Sequence, residues 1–166
     1  MKILILGAGQ VGRTAAYHLA REPANEVTVV DTNEEVLRDL QDRLDIRVVA
    51  GSASYPSVLE AAGIADTDIV IALTSSDEVN MVACEIANAL YRVPTKIARI
   101  RAPEYTSHAE LFADGGDAAD QRRIQLARVV QLRRRGVGEI GGGEHRVRLV
   151  VAVDADCQAS AERHTG

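Results

Sequence analysis

KILILGAGQVG, residues 2–12, runs from five residues of strand character through three glycines into a segment able to start a helix. Its last six residues, Gly7, Ala8, Gly9, Gln10, Val11 and Gly12, match G-x-G-x-x-G in the context that gives this pattern meaning, directly after a strand and directly before a helix. In that geometry Gly7 makes the tight turn, Gly9 lets the backbone approach a pyrophosphate, and Gly12 allows the helix to pack close on the strand. The helix N-terminus at Gln10 to Gly12 adds free N–H groups and a partial positive charge for phosphate oxygens.

Glycine turns between strand and helix also arise for steric reasons alone, so the loop needs a second feature. Asp31 supplies one. It ends the second apolar run 19 residues after Gly12, where a carboxylate can accept hydrogen bonds from both ribose hydroxyls. A competing role for Asp31, capping the next helix, falls more naturally to Asn33. Thr32 and Asn33 follow without an Arg or Lys to offset a 2′-phosphate, which favours NAD or an adenine nucleotide over NADP.

Ligands of open parallel sheets bind outside the carboxyl ends of the strands, and three further strand ends point to the same crevice. Gly51-Ser52 follows the third strand, and Thr74 and Ser75 follow the fourth, with Ser76 and Asp77 available to cap the next helix. Arg99 and Arg101 end the fifth, on one face, where each either meets phosphate or pairs with a surface acid.

The crevice presumes the sheet, and the rest of the first hundred residues supplies it. Short β-branched runs recur as KILIL (2–6), EVTVV (26–30), IRVVA (46–50), DIVIA (68–72) and KIARI (96–100). Between them stand apolar residues at helical spacing: Val11, Ala15 and Leu19, then Val36, Leu37, Leu40 and Leu44. Pro23 follows the first helix, Asn33 caps the second, and Pro56 sits in the first turn of the third. Strands this uniformly apolar are covered on both faces, so the fold class is α/β, a Rossmann-type doubly wound parallel sheet with right-handed crossovers. A further helix over about 77–91 carries Val79, Val82, Ile86 and Leu90, expected to face the core.

After Phe112 the composition shifts. Ten basic against sixteen acidic residues, net −6, give way to nine against eight. QRRIQLARVVQLRRR (121–135) holds six arginines and no acid, and the recurrence of Ile124, Ala127 and Val130 predicts an amphipathic helix with a basic face. A glycine-rich turn and a last strand, RVRLVVAV (146–153), follow. The expected division is therefore a nucleotide-binding domain over 1–112 and an atypical, truncated or aberrant segment over 113–166.

At 166 residues the chain is one domain's worth plus a tail. An aromatic content of 3% without Trp makes the core aliphatic, and a net charge of −5 disfavours nucleic acid and anionic lipid as partners. Cys84 and Cys157 stand far apart with no secretory leader, which predicts free thiols in a reducing cytoplasm. No apolar run approaches the roughly 20 residues of a membrane span, so any work at a membrane goes through a partner.

The candidates for chemistry are poor. His18 lies along the first helix, Lys96 starts the fifth strand away from the carboxyl ends, and His108 follows that strand in a polar stretch. His145 and His164 fall in the tail, and Cys84 is mid-helix, where an inert buried thiol is expected. No metal-ligand spacing or nucleophile elbow is present.

Taken in order, MKILILGAGQVG, VTVVDTNEEVLRDLQDRLDIRVVAGSAS, PSVLEAAGIADTDIVIALTSSDEVNMVACEIA and KIARIRAPEY resemble the first regulator-of-conductance domain of the TrkA family, over residues 1 to about 112. The resemblance implies a cytoplasmic regulator that binds NAD(H), and ATP or ADP beside it, and controls a transmembrane potassium channel subunit of the Trk type. It implies a homo-oligomer, peripheral on the cytoplasmic face of the inner membrane. It also carries the pyrophosphate role to Gly7–Val11, the ribose role to Asp31, nucleotide contacts to Thr74 and Ser75, and a phosphate or ribose contact to Arg99. The family's sixth strand, crossover helix and small C-terminal ligand domain find no match in residues 113–166.

Three readings follow. A non-catalytic nucleotide sensor is the first; the cofactor half of an NAD-dependent dehydrogenase would use the same loop and acid. A structural module with an empty crevice is the third, and it leaves Asp31 without a purpose.

Overall fold

A computed structural model describes residues 1–108, 124–128 and 152–153. Strand and helix alternate as β1 (Lys2–Leu6), α1 (Gln10–Leu19), β2 (Glu26–Asp31), α2 (Glu34–Arg43), β3 (Arg47–Ala50), α3 (Pro56–Ala61), β4 (Ile69–Ala72), α4 (Asp77–Ala89), β5 (Thr95–Arg99) and the short α5 (Pro103–Thr106). A short 3-10 turn (Ile64–Asp66) between α3 and β4 and two further strands, β6 (Ile124–Arg128) and β7 (Ala152–Val153), complete the described elements.

The strands form one sheet in the order β3-β2-β1-β4-β5-β6-β7. All neighbours from β3 to β6 are parallel, and β7 is antiparallel to β6. Leu6 stands beside Val30 on one side and Ala72 on the other, so these strands end level with one another. The order reverses between β1 and β4. Loops that leave neighbouring strands in opposite directions open a crevice there.

Both faces of the sheet are covered. Leu4 and Leu6 pack with Leu59, Ala83, Cys84 and Ala87 from α3 and α4. Ile3 and Ile5, their neighbours in sequence, pack with Ala15, Ala16, Leu37 and Leu40 from α1 and α2. Alternation along β1 thus divides one apolar strand between two cores, as the crossovers require. The doubly wound parallel sheet is as the sequence predicts, and so are the Asn33 cap of α2 and Pro56 in the first turn of α3.

Two expectations are corrected. The large apolar residues of α4 do not all face the core: Val82 is 45% exposed and Leu90 is 62% exposed. Its buried face is Asn80, Ala83, Cys84 and Ala87, about one residue round the helix. Small side chains bring α4 close to the sheet, and a pattern weighted toward large residues points away from them.

Within 121–135, Ile124–Arg128 is a strand and not part of a helix. It pairs with the open edge of β5, Lys96 beside Ile124 and Arg99 beside Ala127. The segment carries both an alternation of Ile124 and Leu126 and a helical spacing of Ile124 and Ala127; the unpaired backbone of β5 rewards the first. A sixth strand therefore does follow β5. The rest of 121–135, residues 146–151 of the expected last strand, and the boundary at 112 lie outside the described residues.

Candidate functional site

A cleft of about 440 Å³ opens where the strand order reverses, at the carboxyl ends of β1, β2, β4 and β5. Its floor is the loop after β1, and that loop's three glycines have three different reasons to be glycine. Gly7 has φ +102°, and a Cβ there would stand 2.8 Å from the Thr74 nitrogen in the loop after β4. A Cβ on Gly12 would fall 1.8 Å from the Gly7 carbonyl oxygen. At Gly9 an added Cβ meets nothing within 4 Å. Gly9 has ordinary extended backbone and caps α1 without any side-chain hydrogen bond, and the helix opens with Gln10 and Val11 lining the cleft beside that open space.

Asp31 closes one side. Its Oδ2 accepts the Ala8 N–H at 2.6 Å and its Oδ1 accepts the Asn33 N–H at 2.8 Å. The glycine loop and the end of β2 are tied together by this one carboxylate, and each oxygen keeps a further acceptor site. Asn33 in turn accepts from Glu35 N and Val36 N as the cap of α2, so the two competing roles fall to two residues. Thr32, Gly51 and Ser52 complete this side; the Ser52 hydroxyl lies 2.8 Å from that of Ser54.

The opposite wall is Thr74, Ser75 and Ser76 after β4, with Arg99 and Arg101 from the end of β5. Thr74 is largely spent within the protein. Its N–H donates to Asn80 Oδ1 at 2.9 Å, and its hydroxyl proton lies within reach of Asn80 Oδ1 (2.7 Å) and the Ser76 carbonyl (3.0 Å). Ser76 caps α4 by accepting from Val79 N. Asp77 accepts the Arg101 and Ala102 N–H groups at 2.7 and 2.8 Å and lies 3.3 Å from Arg101 Nε, while Arg101 also donates to the Ser75 carbonyl. Burial alone would push the Asp77 pKa up; the two N–H groups and the Arg101 guanidinium outweigh it and hold the carboxyl below its ordinary value.

Arg101 is thus engaged, whereas the Arg99 guanidinium makes no hydrogen bond or ion pair among the described residues. Partial burial and the neighbouring Arg101 charge both lower the Arg99 pKa.

Of the residues singled out in the sequence, Gly7, Gly9, Gln10, Val11, Asp31, Thr32, Ser52, Thr74, Ser75 and Arg99 line this one cleft. Ala8 and Gly12 do not: Ala8 is buried and gives its N–H to Asp31, and Gly12 is the contact point of α1 with the loop. Asn80 was missed. Its signal is a polar residue on the small-residue face of α4, in line with Ala83, Cys84 and Ala87.

The groups weighed for chemistry lie elsewhere. Lys96 is fully buried near the start of β5, with Nζ 3.0 Å from the Val93 carbonyl and 3.1 Å from Asn88 Oδ1. Burial pushes the Cys84 thiol up to about 12. Among the described residues no group of three or more His, Cys, Asp or Glu is placed to hold a metal ion, and no helix is long and apolar enough to cross a membrane.

Comparison with known proteins fits this geometry. The TrkA-N domain model matches residues 3–120. The Trk system potassium uptake protein TrkA of Halomonas elongata is 61% identical over 113 residues, 68% of this chain and 24% of that protein. Its namesake from Vibrio alginolyticus is 51% identical over 121 residues, 72% of this chain and 26% of that protein. The chain therefore spans about a quarter of the length of these curated relatives. Among solved structures, the GsuK channel bound to NAD superposes with a TM-score of 0.55 at 30% identity, over 66% of this chain and 19% of that one. The TrkA-N domain of the inner membrane protein YbaL from Escherichia coli shares the fold, with a TM-score of 0.56 at 20% identity over 64% of this chain and 78% of that one. With its glycine loop, its strand-end acid and the family model running from β1 past β5, this chain belongs to the TrkA-N domain family.

Proposed function

We propose that this chain is a non-catalytic nucleotide-binding regulator of potassium uptake. It takes NAD(H), and ATP or ADP in the same cleft. Gly9 carries this reading: Gly7 and Gly12 are explained by contacts within the protein, whereas space for a side chain at Gly9 is open and lies at the mouth of a helix N-terminus. A diphosphate fits that opening. The N–H groups of the first turn of α1 would bind its oxygens and Asp31 would accept from a ribose. Arg99, whose guanidinium has no hydrogen-bond or ion-pair partner among the described residues, is the cation placed to meet a phosphate or ribose on the far wall.

The titratable groups that line the cleft among the described residues are Asp31, Arg99 and Arg101. A carboxylate pinned by two N–H groups and a pair of guanidiniums are groups that hold a ligand, which supports sensing over turnover. The curated relatives are named as potassium uptake proteins, and one structural neighbour is a channel bound to NAD. By that likeness the chain works as a homo-oligomer on the cytoplasmic face of the inner membrane, against a transmembrane channel subunit of the Trk type. Regulation then requires that two nucleotides prefer different arrangements of the assembly, since a ligand bound equally by both would shift nothing.

Calorimetric titration with NADH, ATP and ADP tests the reading. Saturable binding that Asp31→Ala abolishes or weakens is expected. Binding of none of the three, or an NADH affinity indifferent to Asp31→Ala, would overturn it; steady NADH oxidation with a small carbonyl compound would turn the assignment toward a dehydrogenase.

A further inference from the structure

Asn80 has no exposed surface, yet its side-chain amide is spent on two residues, Thr74 and Arg99, of one wall of a cleft that it does not itself line. Its Oδ1 receives the Thr74 N–H (2.9 Å) and hydroxyl (2.7 Å). Its Nδ2 donates to the Arg99 carbonyl at 2.8 Å and lies 3.4 Å from the Thr74 carbonyl. β4 ends at Ala72 and its pairing with β5 stops at Ala72 beside Ala98, so the β4–β5 ladder no longer fixes the spacing between Thr74 and Arg99. The Asn80 amide joins Thr74 to Arg99 directly, beside the Arg101 contacts to Asp77 and to the Ser75 carbonyl.

We propose that Asn80 is a positioning residue for ligand binding: by bridging Thr74 and Arg99 it sets the width of the β4–β5 half of the cleft and the place from which the Arg99 side chain leaves the backbone. The inference rests on the nucleotide reading of the cleft and deepens it. Asp31, Thr32 and Ser52 bound the half beside β2, and Thr74, Ser75 and Arg99 bound the half beside β5, with the glycine loop between. A ligand that ends at one phosphate needs only the loop and the β2 half. A dinucleotide must continue into the half that Asn80 spaces, so Asn80 acts on long ligands and is indifferent to short ones.

The test compares NADH with AMP by calorimetry on the wild type, Asn80→Ala and Asn80→Asp. Asn80→Asp keeps the shape and the acceptor toward Thr74 but loses the donor toward Arg99. Both affinity and binding stoichiometry are read, because unfolded chains lower the stoichiometry and leave the affinity of the folded fraction unchanged. Loss of the bridge should weaken NADH about ten- to hundredfold, the scale of a displaced binding group or an orphaned buried one, while AMP changes less than about twofold. Equal losses for both ligands, unchanged NADH affinity, a fall in stoichiometry alone, or failure of both variants to fold would assign Asn80 to the core and overturn the proposal. If the wild type binds neither nucleotide, the functional reading itself fails; if the wild type binds both and the variants match it, only the role of Asn80 does.

Discussion

The Asp31 carboxylate accepts the Ala8 N–H at 2.6 Å, across the gap between the end of β2 and the glycine loop. The residue that would hold a ribose is therefore also the residue that orients the loop for the diphosphate. Asp31→Ala should cost more than a lost ribose contact, since Ala8 N and Asn33 N lose their acceptor too. NADH affinity is expected to fall by about tenfold or more, in line with loss of charge-assisted hydrogen bonds. Titration calorimetry checks this, and a loss confined to a factor of two would separate the two roles.

Gly9 and Gly12 should respond in opposite ways to an added methyl group. Gly12→Ala must displace α1 from the Gly7 carbonyl, and overpacking of this kind costs at least about 1–3 kcal/mol. Gly9→Ala has room and an ordinary extended backbone, so stability should change by less than about 1 kcal/mol, the scale of an N-cap exchange. Nucleotide binding should nonetheless be lost in Gly9→Ala. Urea unfolding beside ligand titration reads both.

Arg99→Ala should lower affinity for NADH without lowering stability. The guanidinium is partly buried beside Arg101, and both burial and that like charge disfavour it. Its removal is expected to leave the unfolding midpoint unchanged or slightly raised, the trade between binding and stability common at ligand sites. Arg101→Ala, by contrast, strips Asp77 of its guanidinium partner and should lower the midpoint.

Acid should loosen the junction of α4 with the end of β5. The Asp77 pKa in the folded chain lies below its ordinary 3.8, so the unfolded chain binds more protons in that range. The stabilisation is fully present above the unfolded value and disappears as pH falls through the folded one. Thermal midpoints should drop on acidification below about pH 4, and Asp77→Asn should flatten part of that decline. Glu78, held low first by the Ser76 hydroxyl, contributes in the same direction and leaves a residual slope.

Cys84 should be inert to thiol reagents until the chain unfolds. Burial between α4 and the sheet raises its pKa to about 12, which leaves almost no thiolate at neutral pH. In a Cys157→Ser background, reaction with a chromogenic disulfide is expected to be negligible in buffer and complete in urea.

How far the sequence reads depends on which contacts are local. Gly12 and Asn33 act within a turn, and Gly7 and Asp31, although their contacts reach Thr74 and Ala8, belong to one motif whose spacing places them. Asn80 and Arg101 act on partners 19 and 24–26 residues away, through a pairing of β4 with β5 that only the folded sheet brings about. The α4 face misled because hydrophobic size was read as depth, when closeness to the sheet selects Ala83 and Ala87. Ile124–Arg128 misled because its two periods were nearly balanced and an unpaired strand edge decided between them.

A site floored by main chain has its own mutational logic. The donors offered by the opening turn of α1 belong to the peptide groups, so the exposed side chain of Gln10 can vary widely while the grip on an anion persists. Position 7, by contrast, should tolerate no side chain at all. Saturation libraries across residues 7–12 would then show a comb of forbidden and permissive positions, and the spacing of its teeth would be that of the glycines.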